Sequence, residues 1–279
     1  MTRWLITGGG GMVATDLLRA LESRGEEAIA LTKADLDITD SRAVRAAVEK
    51  HQPAVIVNCA AYTRVDDAES NETVANEING SAVELLASAA RDALLVQIST
   101  DFVFDGSKRS PYEINDAPRP LSAYGRSKLL GEQAAMNARK YLIVRTAWLF
   151  GLNGPNFVEA IRKQILKGND LRVVDDQSGR PTYTPHLADA VIRLVTCGAT
   201  GIAHYADEPE CTWYDFACAI AGEMLASVKI TPVTTAEFPR PATRPAYSVL
   251  STERYERVTG VAPASWEDGL RDYLRLRAH

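Results

Sequence analysis

Short apolar runs alternate with stretches of helical periodicity over the first 150 residues. The runs predict strands at 3–7, 27–31, 54–59, 94–99 and 141–147. The segments between them predict helices at 12–24, 41–51, 76–91 and 127–137. Regular alternation of strand and helix is typical of a parallel sheet wrapped on both faces. We therefore expect an α/β fold with a doubly wound parallel sheet.

The pattern is less regular beyond residue 150. It predicts helices at 157–167, 186–195, 213–225 and 265–276, and strands at 171–174, 201–205 and 228–233. We see no internal repeat and no long linker. We expect residues 1–150, rejoined by 183–206, to form the main domain. Residues 151–182 and 207–279 would form a smaller C-terminal α/β region, with a site in the cleft between the two.

A glycine-rich loop follows the first predicted strand. Gly8, Gly11 and Ala14 have the spacing G-x-x-G-x-x-A, between the strand and an amphipathic helix. Glycines let the backbone turn sharply and approach a pyrophosphate, whose charge then meets the helix N-terminus. A run of four glycines is also consistent with a flexible turn, but its position between a strand and an amphipathic helix favours dinucleotide binding. We therefore interpret residues 1–150 as a Rossmann-type, NAD(P)-binding domain and the C-terminal region as the substrate-binding part.

The residues after the second and third strands bear on the choice of cofactor. A cofactor without a 2′-phosphate is usually held by an acid at the end of the second strand. Here Thr32 and Lys33 follow it, which favours NADP. Lys33 is also consistent with an ordinary solvated charge in a loop. Asp37 is a candidate for the adenine amine and Ile38 for the ring face. The small residues Ala60 and Ala61 after the third strand leave room for the cofactor.

The stretch from Thr100 to Lys128 carries the candidate chemistry. Thr100 follows a buried strand, and Tyr124 and Lys128 are four apart, on one face of a helix. A lysine cation beside a phenol lowers the tyrosine pKa, which makes the phenol a usable proton donor or acceptor. Thr100 can hydrogen-bond the same substrate oxygen. The three residues suit reduction of a carbonyl, although such a pair alone is usually an exposed helix face.

Composition and charge narrow the class of protein. The chain has 279 residues, a net charge of −5 and a pI of about 5.5, so no nucleic-acid footprint is indicated. No apolar run approaches the roughly 20 residues of a membrane span, and the first strand leaves no room for a signal peptide. The four cysteines are scattered and contain no CxxC pair. We expect a cytoplasmic protein.

The glycine loop and the Tyr-x-x-x-Lys pair together resemble the extended short-chain dehydrogenase/reductases that act on nucleotide sugars. Within that superfamily the chain is most similar to the dTDP-4-dehydrorhamnose reductases. The matching segments span nearly the whole chain: they are 58–63 with 65–66, 99–106, 124–128, 145–148, 176–182 and 244–250.

The resemblance implies a reaction and a set of site residues. NADPH or NADH would deliver a hydride to the C4 ketone of dTDP-4-dehydro-6-deoxy-L-mannose and give dTDP-L-rhamnose, for polysaccharide biosynthesis. Tyr124 would protonate the alkoxide, Lys128 would depress its pKa and hold the nicotinamide ribose, and Thr100 would bind the C4 oxygen. Asp101 and Trp148 would line the sugar pocket, and Arg180 or an arginine of the 240–244 run would hold the phosphates. The other cofactor contacts would be Gly8, Gly11, Met12, Val13, Asp37, Ile38, Ala60, Ala61, Tyr62 and Thr63.

The chain departs from the family pattern near the first helix, and other functions of related proteins are alternatives. Some relatives dimerise through a metal held by glutamates near the first helix; this chain has Thr15 and Asp16 there, so we predict no metal and either a monomer or a homodimer. A sugar dehydratase would need an Asp-Glu pair, but Phe102 follows Asp101. A 4-epimerase, a reductase of another deoxysugar and a non-catalytic subunit like that of methionine adenosyltransferase stay as alternatives. The sequence leaves the sugar stereochemistry and the NADPH preference open.

Overall fold

The computed structural model describes residues 2–277. The strands are β1 (Arg3–Thr7), β2 (Glu27–Leu31), β3 (Val55–Asn58), β4 (Leu94–Thr100), β5 (Tyr141–Thr146), β6 (Leu149–Phe150), β7 (Leu171–Val174), β8 (Ser178–Gly179), β9 (Thr182–Tyr183), β10 (Gly201–His204), β11 (Cys211–Thr212) and β12 (Ile230–Val233). The helices are α1 (Met12–Glu22), α2 (Ser41–His51), α3 (Val65–Ala68), α4 (Glu72–Asn76), α5 (Ala82–Ala90), α6 (Ala123–Ala135), α7 (Phe157–Leu166), α8 (Thr184–Thr196), α9 (Trp213–Glu223), α10 (Glu253–Thr259) and α11 (Trp266–Arg277).

A six-stranded parallel sheet forms the centre of the molecule. Its strand order is β10-β5-β4-β3-β1-β2. The chain starts at β1, moves out to β2 and then crosses to β3, so the order reverses between β1 and β3. This reversal is the point at which doubly wound sheets open a ligand crevice at their carboxyl edge. The predicted fold class is confirmed.

The two faces of the sheet are both buried, as the near-continuous apolar strands predict. Alternate residues point to opposite sides: Ile6 and Val57 pack under α1 and α8, whereas Leu5 and Ile56 pack under α2 and α5. All four side chains are fully buried. The sheet is thus rigid across its whole width, and it fixes the positions of the loops at its carboxyl edge.

A third core lies outside the large sheet. Side chains of α7, α9 and α11 surround Phe150 and Phe216, and β7 and β12 pair beside them. Strand β10 and helix α8 instead join the layers of the large sheet. The division of the chain into a nucleotide domain and a substrate region stays a prediction.

Most of the predicted helices agree with the structure to within two residues at each end, two differ more, and α3, α4 and α10 are not among the helices predicted above. The helix expected over 127–137 begins at Ala123, because the Ser122 side chain caps it by accepting a hydrogen bond from the Gly125 N–H at 3.1 Å. The helix expected over 76–91 is interrupted by a π-helical turn, Glu77–Ser81, before α5. A search of residues 2–277 finds no helix with the length and apolar character needed to span a membrane.

Candidate active site

A cleft of about 1040 Å³ opens at the carboxyl edge of the sheet. Its walls come from the loops after β1, β2 and β3, the end of β4, one face of α6 and the turn at 153–155. It therefore lies over the reversal of strand order between β1 and β3, the usual position for a dinucleotide in this kind of sheet.

The glycine loop shapes one wall of this cleft. Gly8 has a φ of +71°, and a Cβ there would lie 2.7 Å from the Ala60 nitrogen, so only glycine fits between the two loops. Helix α1 begins at Met12 after Gly11, and no side chain caps it. Its first N–H groups face the cleft and can bind an anionic pyrophosphate.

The far end of the cleft suits an adenosine. Ile38 is buried and offers an apolar surface, and Asp37 beside it is exposed. Asp37 Oδ1 accepts hydrogen bonds from the Thr39 N–H and hydroxyl, and these bonds hold the pKa of Asp37 below its usual value. The Thr32 hydroxyl is engaged, since it donates to Asp35 at 2.6 Å. Lys33 lines the cleft and, within residues 2–277, makes no ion pair.

The structure brings the predicted cofactor residues together. They all line the same cleft: Gly8, Gly11, Met12, Val13, Asp37, Ile38, Ala60, Ala61, Tyr62, Thr63, Tyr124 and Lys128. Sequence reasoning missed Asn153, Gly154 and Pro155, which form a turn and also line this cleft. The Met12 side chain lies against Gly154, 3.0 Å from where a Cβ would be. The signal available was the position of this turn, directly after a strand that ends at the same sheet edge.

Asn79 is a second residue that the sequence did not single out. It lies in the π-helical turn, is 1% exposed, and its amide pairs with both backbone groups of Tyr62, at 2.8 and 3.0 Å. The same amide donates to the Ser127 hydroxyl of α6 at 2.9 Å. Asn79 therefore ties the loop that carries Tyr62 to the helix that carries Tyr124 and Lys128.

Tight packing brings Tyr124 to the end of β4. A Cβ on Gly125 would lie 2.3 Å from the Phe102 carbonyl oxygen, so glycine lets α6 press against this turn. The Tyr124 ring then packs edge-on against Phe102, with centroids 5.8 Å apart. The Tyr124 phenol lies near the Thr100 hydroxyl.

The expected effect of Lys128 on Tyr124 is wrong for this arrangement. Burial raises the pKa of Tyr124; the Thr100 hydroxyl partly offsets this, and the Asp101 carboxylate raises it further. Lys128 Nζ donates instead to the Ile98 carbonyl at 2.7 Å. Burial lowers the pKa of Lys128 to about 8, against the opposing charge of Glu132. The Tyr124 phenol is therefore protonated at neutral pH, which suits a proton donor.

Asp101 lies beside this pair with one oxygen unpaired. It is 2% exposed; Oδ1 accepts from the Thr100 hydroxyl at 3.0 Å, and the buried Oδ2 has no partner among the described residues. Burial raises the pKa of Asp101 to about 6, although the hydrogen bond from Thr100 and the nearby Ser248 hydroxyl oppose the shift. Ser248 was missed, because it comes from a segment 147 positions further along the chain, which pairs with Ser178 through the backbone.

Trp148 is held rigidly next to these residues. Its φ is +48°, a strained value for a bulky residue. Its ring stacks on Trp213 with centroids 3.6 Å apart and planes 7° from parallel. A Cβ on Gly179 would lie 2.4 Å from the indole, so Gly179 makes room for it. Trp148 also packs against the cluster that contains Phe104.

The structure does not bring the candidate phosphate-binding arginines into the cleft. Arg180 pairs with Glu208 at 3.0 Å, donates to the Leu250 carbonyl, and lines a separate cavity of about 340 Å³. Arg240 and Arg244 both bind the carboxylate of Asp66, at 2.5 and 3.0 Å. Each of these arginines therefore already has an acidic partner.

Comparisons with known proteins agree with this geometry. The family model described as the RmlD substrate binding domain matches residues 2–278. The chain is 44% identical to a probable dTDP-4,6-dihydroxy-2-methyloxan-3-one 4-ketoreductase of Streptomyces antibioticus, over 97% of this chain and 94% of that protein. It is similar to the crystal structure of a dTDP-4-dehydrorhamnose reductase from Clostridium acetobutylicum (41% identity, TM-score 0.96, 99% of this chain and 100% of that one). It is also similar to the Bacillus anthracis dTDP-4-dehydrorhamnose reductase in complex with NADP (35% identity, TM-score 0.94, 99% of each chain). The chain therefore belongs to the RmlD substrate-binding-domain family, among the dTDP-4-dehydrorhamnose reductases.

Proposed function

We propose that this protein is an NAD(P)H-dependent reductase that converts dTDP-4-dehydro-6-deoxy-L-mannose to dTDP-L-rhamnose. The observation that carries the proposal is that Tyr124 and Lys128, one helical turn apart, line a dinucleotide-sized cleft, with Thr100 close to Tyr124. Relatives with the named activity cover nearly the whole chain.

The residues present fit a nicotinamide dinucleotide. The uncapped start of α1 suits the pyrophosphate, Ile38 and Asp37 suit the adenosine, and the exposed Lys33 suits a 2′-phosphate. When bound, NADPH supplies the hydride. The B. anthracis relative was solved with NADP, which supports NADPH over NADH.

The remaining chemistry falls to the side chains at the end of β4. Tyr124 keeps its proton at neutral pH and donates it to the C4 oxygen as negative charge develops there. The Thr100 hydroxyl donates a second hydrogen bond to the same oxygen. Lys128, anchored on the Ile98 carbonyl, holds the ribose side of the cofactor and keeps a positive charge near the reaction. Asp101 and the Trp148–Trp213 stack form the sugar side of the pocket.

The C-terminal region completes this arrangement. We infer that residues 151–182 and 207–279 hold the sugar nucleotide and that the dinucleotide domain consists of 1–150 with 183–206. Arg180, Arg240 or Arg244 would reach the dTDP phosphates only by exchanging its carboxylate partner for the diphosphate. We expect the enzyme to work in the cytoplasm as a monomer or homodimer.

A second dTDP-keto-sugar is the competing substrate. The S. antibioticus relative is named for the 4-ketoreduction of a differently substituted ring. The catalytic groups would be the same, because both reactions reduce a C4 ketone. The two proposals differ only in the fit of the ring against Trp148 and Asp101.

Loss of absorbance at the nicotinamide band tests the proposal. Purified protein is mixed with NADPH and enzymatically generated dTDP-4-dehydro-6-deoxy-L-mannose, and the product is identified by comparison with dTDP-L-rhamnose. We expect turnover that Tyr124→Phe lowers by roughly 10²- to 10⁴-fold, because its proton donor is lost. Tyr141→Phe, at the start of β5 and outside the cleft, is the matched control.

Two results would contradict the assignment. NADPH binding without turnover would exclude this sugar as the substrate, and the second keto-sugar would then be assayed. Turnover that Tyr124→Phe leaves intact would remove Tyr124 from the mechanism.

A further inference from the structure

The side chains Ser248, Asp101, Thr100 and Tyr124 form a line of neighbouring polar groups. Three of them are buried: Ser248 is 1%, Asp101 2% and Thr100 7% exposed. Asp101 Oδ1 and Thr100 Oγ1 are 3.0 Å apart, and Tyr124 lies on the other side of Thr100. Asp101 Oδ2 is buried and unpaired within the described residues. The line leads from the C-terminal segment to the proton donor.

The Thr100 hydroxyl can form fewer hydrogen bonds than it has potential partners. A hydroxyl has one proton and two lone pairs. The Phe102 N–H already donates to Thr100 Oγ1 at 3.2 Å and occupies one lone pair. One proton and one lone pair remain, to be shared between Asp101 on one side and Tyr124 with the substrate on the other. The protonation state of Asp101 decides whether the Thr100 proton points toward Asp101 or toward Tyr124 and the substrate.

The two states of Asp101 give opposite arrangements. An ionised Asp101 can only accept, so it takes the Thr100 proton. The free lone pair of Thr100 then draws the Tyr124 proton away from the substrate. A neutral Asp101 donates its own proton to Thr100, and the Thr100 proton turns toward the substrate oxygen.

We propose that Asp101 is a positioning residue: in its neutral form it orients the Thr100 hydroxyl, and through it the Tyr124 phenol, toward the substrate ketone. The inference rests on the proposed reductase function and deepens it. No bond to hydrogen is broken in this role; only the direction of the hydrogen bonds changes.

The surroundings of Asp101 permit both of its protonation states. The groups that face it are the Thr100 hydroxyl at the end of β4, the Tyr124 phenol on α6 and the Ser248 hydroxyl of the C-terminal segment. Among the described residues it forms no ion pair. Of the two cations of α6, Lys128 is directed to the Ile98 carbonyl and Arg126 pairs with Glu72. Burial without a cation raises the pKa of Asp101 to about 6, inside the range of an activity assay.

The pH dependence of kcat/KM tests this role, because it reports the ionisation of the free enzyme. Wild-type protein, Asp101→Asn and Thr100→Ala are assayed with NADPH and the keto-sugar from pH 5 to 9. For the wild type we expect kcat/KM to fall about tenfold as pH rises through 6, the value of one or two misdirected hydrogen bonds. A second fall near pH 8 would follow the lowered pKa of Lys128.

The variants separate an orienting role from a structural one. The amide of Asp101→Asn donates to Thr100 at every pH, so the fall near pH 6 should vanish from its kcat/KM profile, whatever the level of its plateau. Thr100→Ala should be slower and should also lack this fall, because Asp101 acts through Thr100. Asp105→Asn, four positions further along, should keep the wild-type profile. NADPH binding measured by fluorescence verifies that each variant is folded.

Two outcomes overturn the proposal while leaving the reductase function standing. One is an Asp101→Asn profile that keeps the fall near pH 6, and the other is an equal loss of rate at every pH. An inactive wild-type protein that still binds NADPH would overturn both proposals together.

Discussion

Two buried carboxylates, Glu132 in the last turns of α6 and Asp101 directly after β4, have opposite surroundings. Glu132 is fully buried, and both oxygens are paired: Arg145 donates to them at 2.9 and 2.7 Å, and Ser99 donates to Oε1 at 2.5 Å. Asp101 is as deeply buried, but one of its oxygens has no partner among the described residues, and the other is paired only with Thr100. The carboxylate on α6 is therefore fully paired, whereas the one at the end of β4, beside Thr100, is paired incompletely.

This difference distinguishes a carboxylate that stabilises the fold from one that can bind a ligand. A buried carboxylate with a bidentate arginine holds its surroundings in one geometry, whereas an unpaired one keeps a position for a ligand. Other unpaired groups lie on the same side: the Tyr62 hydroxyl and the Asn153 amide face the cleft, and Thr146 is the strand neighbour of Thr100. Trp4 and His204 are exceptions: the unpaired N–H of Trp4 lies in the core under β1, and His204, with an unpaired Nδ1, lies beside Arg145. Asn76 and Arg180 each have one further unpaired atom.

The largest expected effect is a loss of stability when the Arg145–Glu132 pair is broken. Arg145→Met should lower the free energy of unfolding by about 3–5 kcal/mol, because it leaves the Glu132 charge buried without a partner. At 2–4 °C per kcal/mol, the melting temperature should fall by roughly 10 °C. The matched control is Arg139→Met, which breaks an exposed pair with Asp92 and should cost at most about 1 kcal/mol. Equal losses in the two variants would show that the buried pair adds nothing to stability.

Asp101→Asn should raise the stability of the protein at pH 7, whereas Arg145→Met lowers it. A folded-state pKa of about 6, above the ordinary 3.8, means that ionisation of Asp101 destabilises the fold above pH 6. The wild type should therefore gain stability as pH falls from 7 toward 4, by up to about 3 kcal/mol from this group. The variant should lack this gain and be more stable than wild type at pH 7. Urea unfolding at both pH values measures this, and a variant less stable at pH 7 would disprove the unpaired state of Asp101.

The sequence predicted the parts of the site that depend on local spacing. Gly8 and Gly11 turn the chain between β1 and α1 because both the loop and its ligand lie within a few residues. Tyr124 and Lys128 share a helix face for the same reason. The family resemblance, carried by these motifs, was also confirmed.

What depends on long-range packing was missed or wrong. Helical spacing places Lys128 near Tyr124, but only the strand behind it shows that Nζ reaches the Ile98 carbonyl. Ser248 meets Asp101 only after the C-terminal segment pairs with Ser178. The acidic partner of Arg180, Glu208, cannot be read from the residues beside it.

Asp66 extends the comparison to a carboxylate that is paired but partly exposed. Its side chain is 19% exposed; burial would raise its pKa, but hydrogen bonds from Arg244 and Arg240 bring it to about 2. A lowered pKa stabilises the fold above the ordinary value of 3.8, and this contribution is lost as pH falls toward 2. Asp66→Asn should therefore cost about 2 kcal/mol at pH 7 and little at pH 2. Asp67→Asn, exposed and paired only with Arg64 at 3.3 Å, is the control and should change stability far less.

The smallest expected effect comes from Ser248, and its sign is informative. The Ser248 hydroxyl stabilises the ionised form of Asp101, so Ser248→Ala should raise the pKa of Asp101 further. The fall in kcat/KM near pH 6 should then move to higher pH, by less than about one unit, because only one nearby hydroxyl dipole is lost. Ser251→Ala is the matched control, since Ser251 is buried in the same segment and pairs with Tyr112 only through its backbone. A shift to lower pH would mean that water enters the space of the lost hydroxyl and solvates the carboxylate. Asp101 would then owe its unpaired state to the packing of this segment, and not to its position at the end of β4.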